Sequence, residues 1–375
     1  MEKELFALLQ LGLQITDASS IDIFEFATLS KEEWTTIKEM AVKQGVSAIV
    51  LDGINQLPID GYHLPTEMKL EWIGETMQIE QRNRQQVAVM EDLAEKCKIN
   101  GSRVMIMKGQ ASGTMYPKPE HRSPGDIDCY LFNGNVNDNA NANKEAYRIG
   151  NDIARVAGAK VDESWYKHSV ISYKGETFEN HQYFVHTRDG ERGKQLEKEL
   201  EEQLSVERLA VSGDGFLPLT SNTVMPPAQW TAMFLTYHAC AHFVSEGLRL
   251  KQLLDWAMFL KKHQNDVDWT AFYSYCDKNH LRRFADAATA ICVERLGVKV
   301  DNPAITVTSP YAERILHNAL YEDDYVFNSG KSGWANRLHL VKNLFHYRWK
   351  YEEIYEESIY KQLWYYATGF LFKTE

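Results

Sequence analysis

Two aspartates separated by one residue are the strongest chemical signal in the sequence. Asp126 and Asp128 follow Gly125 in the segment Gly-Asp-Ile-Asp. Residues two apart on a strand project from the same face, so the two carboxylates would repel each other unless a cation or water lay between them. Hard divalent cations such as Mg²⁺ prefer oxygen ligands and commonly recruit carboxylates together with substrate phosphates. The pair therefore predicts a metal site, with an acidic pair on a solvated strand as the alternative.

The residues that precede the pair are suited to binding an anion. Lys108 and Gly109 end an apolar run, and a short predicted helix that contains Ser112 follows them. Glycine lets backbone amides approach an anion, and a helix N-terminus adds positive potential. The Ser112 hydroxyl could donate a hydrogen bond, and Arg122 could hold a phosphate through two parallel hydrogen bonds. This segment predicts a phosphate-binding side next to the aspartates.

A third acid, Glu179, lies on a later predicted strand, with His181 two residues on and on the same face. A third carboxylate beside the aspartates would complete a cradle for two metal ions. Asn180 and Gln182 would then fall on the side of the strand that faces the core. The metal-site interpretation requires that the three acids converge and that no lysine already neutralises the aspartate pair.

Two further groups of residues are weaker candidates. His238 and His242 are four residues apart on a predicted helix, a spacing that can bind zinc, but packed and hydrogen-bonded histidines are the more frequent outcome. A basic cluster lies among aromatic residues near the C-terminus, and a solvated helix face is favoured there over a surface that docks an acceptor. The cluster comprises Lys342, His346, Arg348 and Lys350.

The surrounding pattern predicts helices, then a small α/β unit, then helices again. We expect a helical region over residues 1–99, an α/β core over 100–212 and a helical domain over 213–375. Ser30 and Glu33 have capping-box spacing, and a long helix from about 65 to 99 contains the polar stretch EQRNRQQ, interpreted as a solvated face. Two strands meet at a predicted turn at Lys174 and Gly175. The asparagine-rich segment 133–144 is interpreted as an exposed loop.

Composition limits the class of protein. With 44% hydrophobic and 25% charged residues, the 375-residue chain is not mainly disordered, collagenous or coiled-coil. The net charge of −11 disfavours broad binding to long nucleic acids. No signal peptide and no apolar run of about 18 residues is recognised, so we expect no membrane span. The five cysteines are scattered, which argues against disulfides and structural zinc and favours a cytoplasmic protein.

Three segments together resemble a known family. The segment KGQASGTMYPKPEHRSPGDIDCYLF is similar to the pattern Lys-Gly, Tyr-Pro, Arg and Gly-Asp-Ile-Asp of the uncharacterised nucleotidyltransferase family, within the DNA polymerase beta-like superfamily. FENHQYF resembles a later strand of that family, with an acid followed by a histidine. HACAHFVSEGLRLKQLLDW resembles its helical segment with spaced histidines, Gly-x-Arg and Leu-Leu-Asp. The resemblance covers roughly residues 105–260.

The resemblance implies an α+β fold: a small mixed sheet of the polymerase beta-like kind, with helices, between helical N-terminal and C-terminal regions. It also assigns roles to residues. Asp126 and Asp128 match the two metal-binding aspartates, and Glu179 matches the third acid. On the phosphate side it matches Lys108, Gly109 and Arg122.

The helical segment is implied to close over the nucleotide or the acceptor. His238, His242, Arg249 and Asp255 would face the cleft. An ion pair between Arg249 and Asp255, with a purely structural role, is the alternative.

Together these observations predict a Mg²⁺-dependent nucleotidyltransferase that transfers a nucleoside monophosphate from an NTP to an unidentified hydroxyl. Two Mg²⁺ ions are expected, with Mn²⁺ as the alternative ion, and ATP is the first candidate for the NTP. Two other functions stay open. One is a non-catalytic helical interaction protein on a degenerate nucleotidyltransferase scaffold, and the other is a metal-dependent phosphohydrolase.

Overall fold

A computed structural model describes residues 1–22, 24–58, 61–133, 140–187, 190–204, 215–322, 342–361 and 363–364, without the side chains of residues 133 and 140–143. Residues 134–139 of the asparagine-rich segment lie outside the described residues, and a helix begins directly after them, at Ala140. The helix covers residues 140–144 and Asn133 ends a strand, so the prediction of a loop is wrong for these parts of the segment.

A mixed sheet of seven strands forms the centre of the fold, in the order β3-β4-β5-β2-β1-β7-β6. The strands are β1 (Ser102–Ile106), β2 (Ile127–Asn133), β3 (Lys160–Asp162), β4 (His168–Tyr173), β5 (Glu176–His181), β6 (Leu217–Pro218) and β7 (Thr223–Met225). β2 runs parallel to β5, β1 runs parallel to β7, and the other pairs are antiparallel. The turn between β4 and β5 is confirmed: Lys174 and Gly175 have φ values of +49° and +84°, as expected for a two-residue hairpin turn.

Helices precede, interrupt and follow the sheet. Before it come α1 (Glu2–Gly12), α2 (Phe24–Ala27), α3 (Lys31–Lys43), α4 (Ser47–Ile54) and α5 (Thr66–Ile99). Between strands come α6 (Gln110–Gly113), α7 (Ala140–Val156) and α8 (Glu191–Gln203). After the sheet come α9 (Ala228–Ser245), α10 (Leu250–His263), α11 (Trp269–Lys278), α12 (Arg282–Glu294) and α13 (Ala312–Tyr321). The architecture is α+β with helical flanks, as predicted, and none of the described helices is long and apolar enough to cross a membrane.

The capping box at the start of α3 is confirmed. The Ser30 Oγ accepts a hydrogen bond of 3.2 Å from the Glu33 backbone amide, and the Glu33 carboxylate accepts one of 2.8 Å from the Ser30 amide. Two donors that would otherwise lack a partner at the helix end are therefore satisfied reciprocally.

The two faces of the sheet belong to different hydrophobic cores. On β2, Ile127, Cys129 and Leu131 point to one face and pack with residues of α5 and α7. Tyr130 and Phe132 point to the other face and join a larger core that also contains the N-terminal and C-terminal helices. Because side chains alternate along a strand, Asp128 shares the second face, so its carboxylate faces the C-terminal helices rather than α5.

The N-terminal helices pack directly on the C-terminal helices. The Gln44 side chain donates a hydrogen bond of 2.8 Å to the Ala319 carbonyl, and Gln10 donates one of 2.9 Å to the Arg295 carbonyl. Residues of both regions share the larger core. These contacts hold the N-terminal helices against the C-terminal helices.

Three expectations about exposure are wrong. The stretch EQRNRQQ of α5 is not simply solvated, because Asn83 and Gln86 within it are buried. The helical spacing of Tyr147, Ile149, Ile153 and Val156 predicts that all four face the core, but Val156 is 90% exposed at the end of α7. Lys350, expected on a solvated face, is buried and donates a hydrogen bond of 3.1 Å to the Phe243 carbonyl. Satisfied hydrogen bonds allow the polar side chains to be buried.

Candidate functional site

Asp128 and Glu179 are direct neighbours in the parallel β2–β5 pair. Their side chains therefore project from the same face of the sheet. Asp128 is buried and Glu179 is partly buried. Two carboxylates in such positions repel each other strongly because little water screens them.

Asp126 lies just before β2 and is the most exposed of the three acids. Its pKa is raised, by partial burial and then by the negative charges of Glu179 and Asp128. Asp126 therefore lies near enough to the other two acids to be affected by their charges.

A lysine reaches one of the three acids. The Lys108 ammonium forms an ion pair with Asp128, and this ammonium together with His181 holds the pKa of Asp128 well below its usual range, against the opposing effect of burial. The expectation that no lysine neutralises the aspartate pair is therefore wrong for Asp128. Lys108 lies two residues after β1, and the antiparallel pairing of β1 with β2 brings it to the same edge of the sheet.

Two imidazoles complete the surroundings of Glu179. His181 Nε2 lies 3.4 Å from Glu179 Oε2 and 3.3 Å from Asp128 Oδ1. His168 on β4 pairs with His181 across the antiparallel β4–β5 pair, and its Nε2 lies 3.5 Å from Glu179 Oε1. Burial lowers the pKa of His168 to about 4, so this imidazole is neutral at pH 7. His168 had no counterpart among the predicted site residues.

One core-facing position of β5 is occupied by a polar residue, Asn180, and its contacts explain why. Asn180 points away from the acids and is completely buried. Its amide donates hydrogen bonds of 3.1 Å to the Tyr147 carbonyl and 2.9 Å to the Asn151 side chain, both on α7. Because these bonds satisfy the amide nitrogen, a polar residue can occupy the core-facing position and leave Glu179 on the opposite face.

The predicted phosphate-side glycine has the geometry that requires a glycine. Gly109 has a φ of +67°, which favours a residue without a β-carbon. The helix after it, α6, has only four residues, so its dipole is weaker than the prediction assumed. Ser112 is buried and lines a small, mostly apolar cavity with Met107 and Phe259. Its proposed phosphate contact stays a prediction.

Arg122 is committed to a buried ion pair. Its Nε and Nη2 atoms each lie 2.7 Å from an oxygen of Asp255, and the Tyr116 hydroxyl donates a third bond of 2.7 Å to that carboxylate. The predicted two-bond phosphate contact is wrong, because a carboxylate already occupies the fork of the guanidinium. The alternative pairing of Asp255 with Arg249 is wrong for the same reason, and Arg249 begins α10 at the surface.

The two predicted cleft histidines lie on α9, opposite the acids. His238 feels the charges of Lys108 and Asp128, and burial holds its pKa well below the usual range. The rings of His238 and His242 have centroids 4.5 Å apart, and His242 Nδ1 lies 3.1 Å from a Glu246 oxygen. The two rings thus pack against each other, His242 is paired with Glu246, and His238 borders the acidic edge.

Two lysines missed by the sequence analysis line the same region. Burial lowers the pKa of Lys251, on α10, to about 8, and the positive charge of Arg122 adds to this effect. Its ammonium lies 3.7 Å from the position that a β-carbon on Gly125 would occupy. Burial also lowers the pKa of Lys167, which feels the charges of Asp128 and Glu179. Neither lysine belongs to a local motif, so only the fold reveals them.

A polar stripe on α5 holds the segment that leads into β2. Asn83 donates hydrogen bonds of 2.7 Å and 3.0 Å to the carbonyls of Glu120 and Arg122. Gln86 donates one of 2.6 Å to the Gly125 carbonyl, and Gln110 donates to both side chains, at 2.8 Å and 3.1 Å. These bonds fix the backbone directly before Asp126.

Comparison with family models identifies the chain. The model of the family described as uncharacterised nucleotidyltransferase matches residues 30–297, more than half of the 375 residues. The chain belongs to this family. Comparison with curated proteins and with solved structures gives no match. The nucleotidyltransferase match covers every predicted site residue, from Lys108 to Asp255.

The acidic edge of this nucleotidyltransferase-family chain fits a divalent cation. Asp126, Asp128 and Glu179 offer three carboxylates on one edge of the sheet, and oxygen ligands of this kind suit a divalent cation. The ammonium groups of Lys108 and Lys251 lie beside this acidic edge. The arrangement can therefore hold cations next to a polyanionic substrate.

Proposed function

We propose that this chain is a Mg²⁺-dependent nucleotidyltransferase that transfers a nucleoside monophosphate from an NTP, with ATP as the first candidate, to a hydroxyl acceptor. The observation that carries the proposal is the register pairing of Asp128 with Glu179, with Asp126 close enough to share their charge. Membership of the nucleotidyltransferase family supports the same reaction class.

Asp126, Asp128 and Glu179 would hold the ions. When bound, divalent cations would neutralise charge on the α-phosphate and on the leaving pyrophosphate. An acceptor hydroxyl would form a bond to the α-phosphorus while the bond to the pyrophosphate oxygen breaks. Burial acts to raise the pKa of Glu179, but the neighbouring His181 and His168 together lower it below its ordinary value. Glu179 is thus ionised near neutral pH and could accept the proton of that hydroxyl.

Lys108 and Lys251 would bind the triphosphate. In the structure the Lys108 ammonium compensates the charge of Asp128, a charge that a metal ion would also compensate. We expect this flexible ammonium to move to a phosphate oxygen when metal and nucleotide bind. Lys251, next to Gly125, would add a second positive charge on the same side. Arg122 is not part of this step because Asp255 holds it.

The Lys108–Asp128 ion pair also motivates a second candidate, a non-catalytic protein on a nucleotidyltransferase scaffold. If the ammonium permanently replaced a cation, the site would be a structural ion pair. The two candidates differ in their response to nucleotide: a permanent ion pair predicts no Mg²⁺-dependent NTP binding, whereas an exchangeable ammonium predicts that such binding occurs.

Reaction products test the proposal. The purified chain is incubated with Mg²⁺, each of the four NTPs labelled on the α-phosphate, and a small-molecule extract as the acceptor source. Release of pyrophosphate with label joined to an acceptor supports the proposal. Free phosphate or free nucleotide without a labelled acceptor would instead indicate a phosphohydrolase. Product formation that is unchanged in Asp126→Asn would contradict the assigned site.

A further inference from the structure

The acidic edge of the sheet includes a group of ligand atoms that are not all oxygens. One ring nitrogen of His168, one ring nitrogen of His181 and one carboxylate oxygen of Glu179 lie within 4.8 Å of one another. Asp128 Oδ1 lies 3.3 Å from His181 Nε2 and adds a fourth candidate. All four residues lie on β2, β4 and β5, so strand pairing rather than a loop sets their positions.

The separations suit metal coordination better than hydrogen bonding. The nitrogen–oxygen distances are 3.3 Å, 3.4 Å and 3.5 Å, at or beyond the far end of the usual range for a hydrogen bond. Metal–ligand bonds of about 2.0–2.2 Å place neighbouring ligand atoms of a tetrahedral or octahedral ion about 2.8–3.6 Å apart. The observed distances fall within that interval.

The orientation of His181 points to the same conclusion. Its Nδ1 lies 3.1 Å from the backbone carbonyl of Tyr183. A carbonyl can only accept, so Nδ1 donates this bond and Nε2 is the ring nitrogen that faces the acids. This Nε2 lies near oxygens of both Asp128 and Glu179. A carbonyl that orients a ligating histidine is a common feature of metal sites.

The ring nitrogen of His168 that lies near an acid is Nε2, which faces Glu179. Its Nδ1 is buried and has no hydrogen-bond partner in the described part of the chain. The Nε2 atom, 3.5 Å from Glu179 Oε1, is therefore the ring atom available to a ligand. Its ring centroid lies 5.0 Å from that of His181, so the two rings flank the Glu179 carboxylate together.

Imidazole nitrogen changes which ion the site prefers. Mg²⁺ favours oxygen ligands, whereas imidazole suits first-row transition ions. We propose that His168, Glu179 and His181, with Asp128 as a fourth ligand, bind a divalent first-row transition ion such as Mn²⁺ in preference to Mg²⁺. The site would supply one of the two cations of the proposed reaction. Its role in nucleotide transfer rests on the proposed function, while its ligands rest on the geometry alone.

The experiment uses the full chain and Mn²⁺ alone, without nucleotide. Pulsed electron paramagnetic resonance detects ¹⁴N nuclei bonded to Mn²⁺, and competition with Mg²⁺ gives relative affinities. We expect coupling to imidazole nitrogen and an affinity for Mn²⁺ more than about tenfold above that for Mg²⁺. His168→Gln should weaken Mn²⁺ binding about tenfold or more and remove part of the ¹⁴N signal. His263→Gln is the matched control, because His263 also pairs with an acid, Asp266, at 2.8 Å but lies on α10 away from β4 and β5.

Absence of ¹⁴N coupling at bound Mn²⁺ would overturn the inference, and so would wild-type Mn²⁺ affinity in His168→Gln. A second variant, His168→Asn, and thermal unfolding of each variant separate loss of a ligand from loss of the fold. The two proposals can fail independently. Mg²⁺-dependent NTP binding without ¹⁴N coupling would support the proposed function and exclude the nitrogen-ligated site. ¹⁴N coupling without any NTP binding would support the nitrogen-ligated site and contradict the proposed function.

Discussion

Arg122 and Asp255 form a buried, two-bond ion pair that links the segment before β2 to α10. The pair joins the acidic edge of the sheet to the C-terminal helices that face it. A residue that resembles a phosphate ligand in the sequence therefore acts as a structural link between the sheet and α10.

This relationship predicts a large loss of stability in Arg122→Leu. Removing the guanidinium leaves a buried carboxylate without its counterion, which costs about 3–5 kcal/mol. The double variant Arg122→Leu/Asp255→Leu should recover part of that loss because neither charge stays buried. Urea unfolding of the two single variants and the double variant measures both effects. Unchanged stability together with lost NTP binding would instead return Arg122 to the phosphate site.

The α5 polar stripe predicts a positioning effect. In Gln86→Leu the Gly125 carbonyl and the buried Glu176 carboxylate each lose a hydrogen bond, of 2.6 Å and 3.0 Å. We expect a loss of about 1–3 kcal/mol in unfolding free energy and a lower kcat, because the backbone before Asp126 is less constrained. Gln81→Leu, at an exposed position of the same helix, is the control. Equal kcat values for the two variants would refute the positioning role.

Replacing Lys251 should have opposite effects on the free energy of unfolding and on NTP affinity. Its pKa is lowered from 10.5 to about 8, so the folded chain must hold an unfavourable charge below that pH. Lys251→Met should raise the unfolding free energy at pH 7 by about 1–2 kcal/mol and weaken NTP binding.

The pH dependence of Lys251 follows from linkage. Between about pH 8 and 10.5 the unfolded chain binds more protons at this residue than the folded chain, so the wild type gains stability as pH rises and the advantage of Lys251→Met shrinks. NTP binding by the wild type should weaken as pH rises above about 8. Denaturant titrations and binding isotherms from pH 7 to 10 test both trends. An advantage of Lys251→Met that does not change over this range would contradict the assignment.

Lys108 predicts a separation of metal binding from nucleotide binding. Lys108→Met leaves Asp128 without its ammonium partner, so the three acids should bind a divalent ion more tightly in the absence of NTP. The same variant should bind Mg²⁺–NTP more weakly because a phosphate contact is lost. Calorimetric titration with Mn²⁺ alone and then with Mg²⁺–ATP distinguishes the two effects. Lys118→Met, which removes a lysine paired with Asp52, serves as the control. Weaker metal binding in Lys108→Met would argue against a lysine that occupies the place of a cation.

The sequence revealed the acids because their positions follow strand geometry. The spacing of Asp126 and Asp128 and the hairpin before Glu179 are local features, and strand periodicity carries them into the folded chain. The missed residues depend on contacts between distant segments. His168 and Lys251 acquire their roles only when β4 and α10 reach the acidic edge, and Arg122 loses its predicted role because Asp255 lies beside it.

Helical periodicity could have predicted that the polar stripe of α5 is buried. Asn83 and Gln86 continue at helical spacing into the buried residues Met90, Leu93 and Cys97. Their polarity suggested a solvated face, but their position on this stripe indicates burial. A polar residue on a helix stripe that faces the core therefore suggests a hydrogen-bonded partner segment.

Metal-dependent nucleotide binding at Asp126 tests the central claim most directly. Isothermal titration of the wild type with ATP, GTP, CTP and UTP, each with and without Mg²⁺, should give binding that requires the metal for at least one nucleotide. Asp126→Asn should weaken that binding by more than about tenfold, which corresponds to about 1.4 kcal/mol, whereas Asp152→Asn, a change at an exposed aspartate on α7, should leave it unchanged. Absence of Mg²⁺-dependent binding for all four nucleotides, or equal binding in Asp126→Asn and the wild type, would contradict the account.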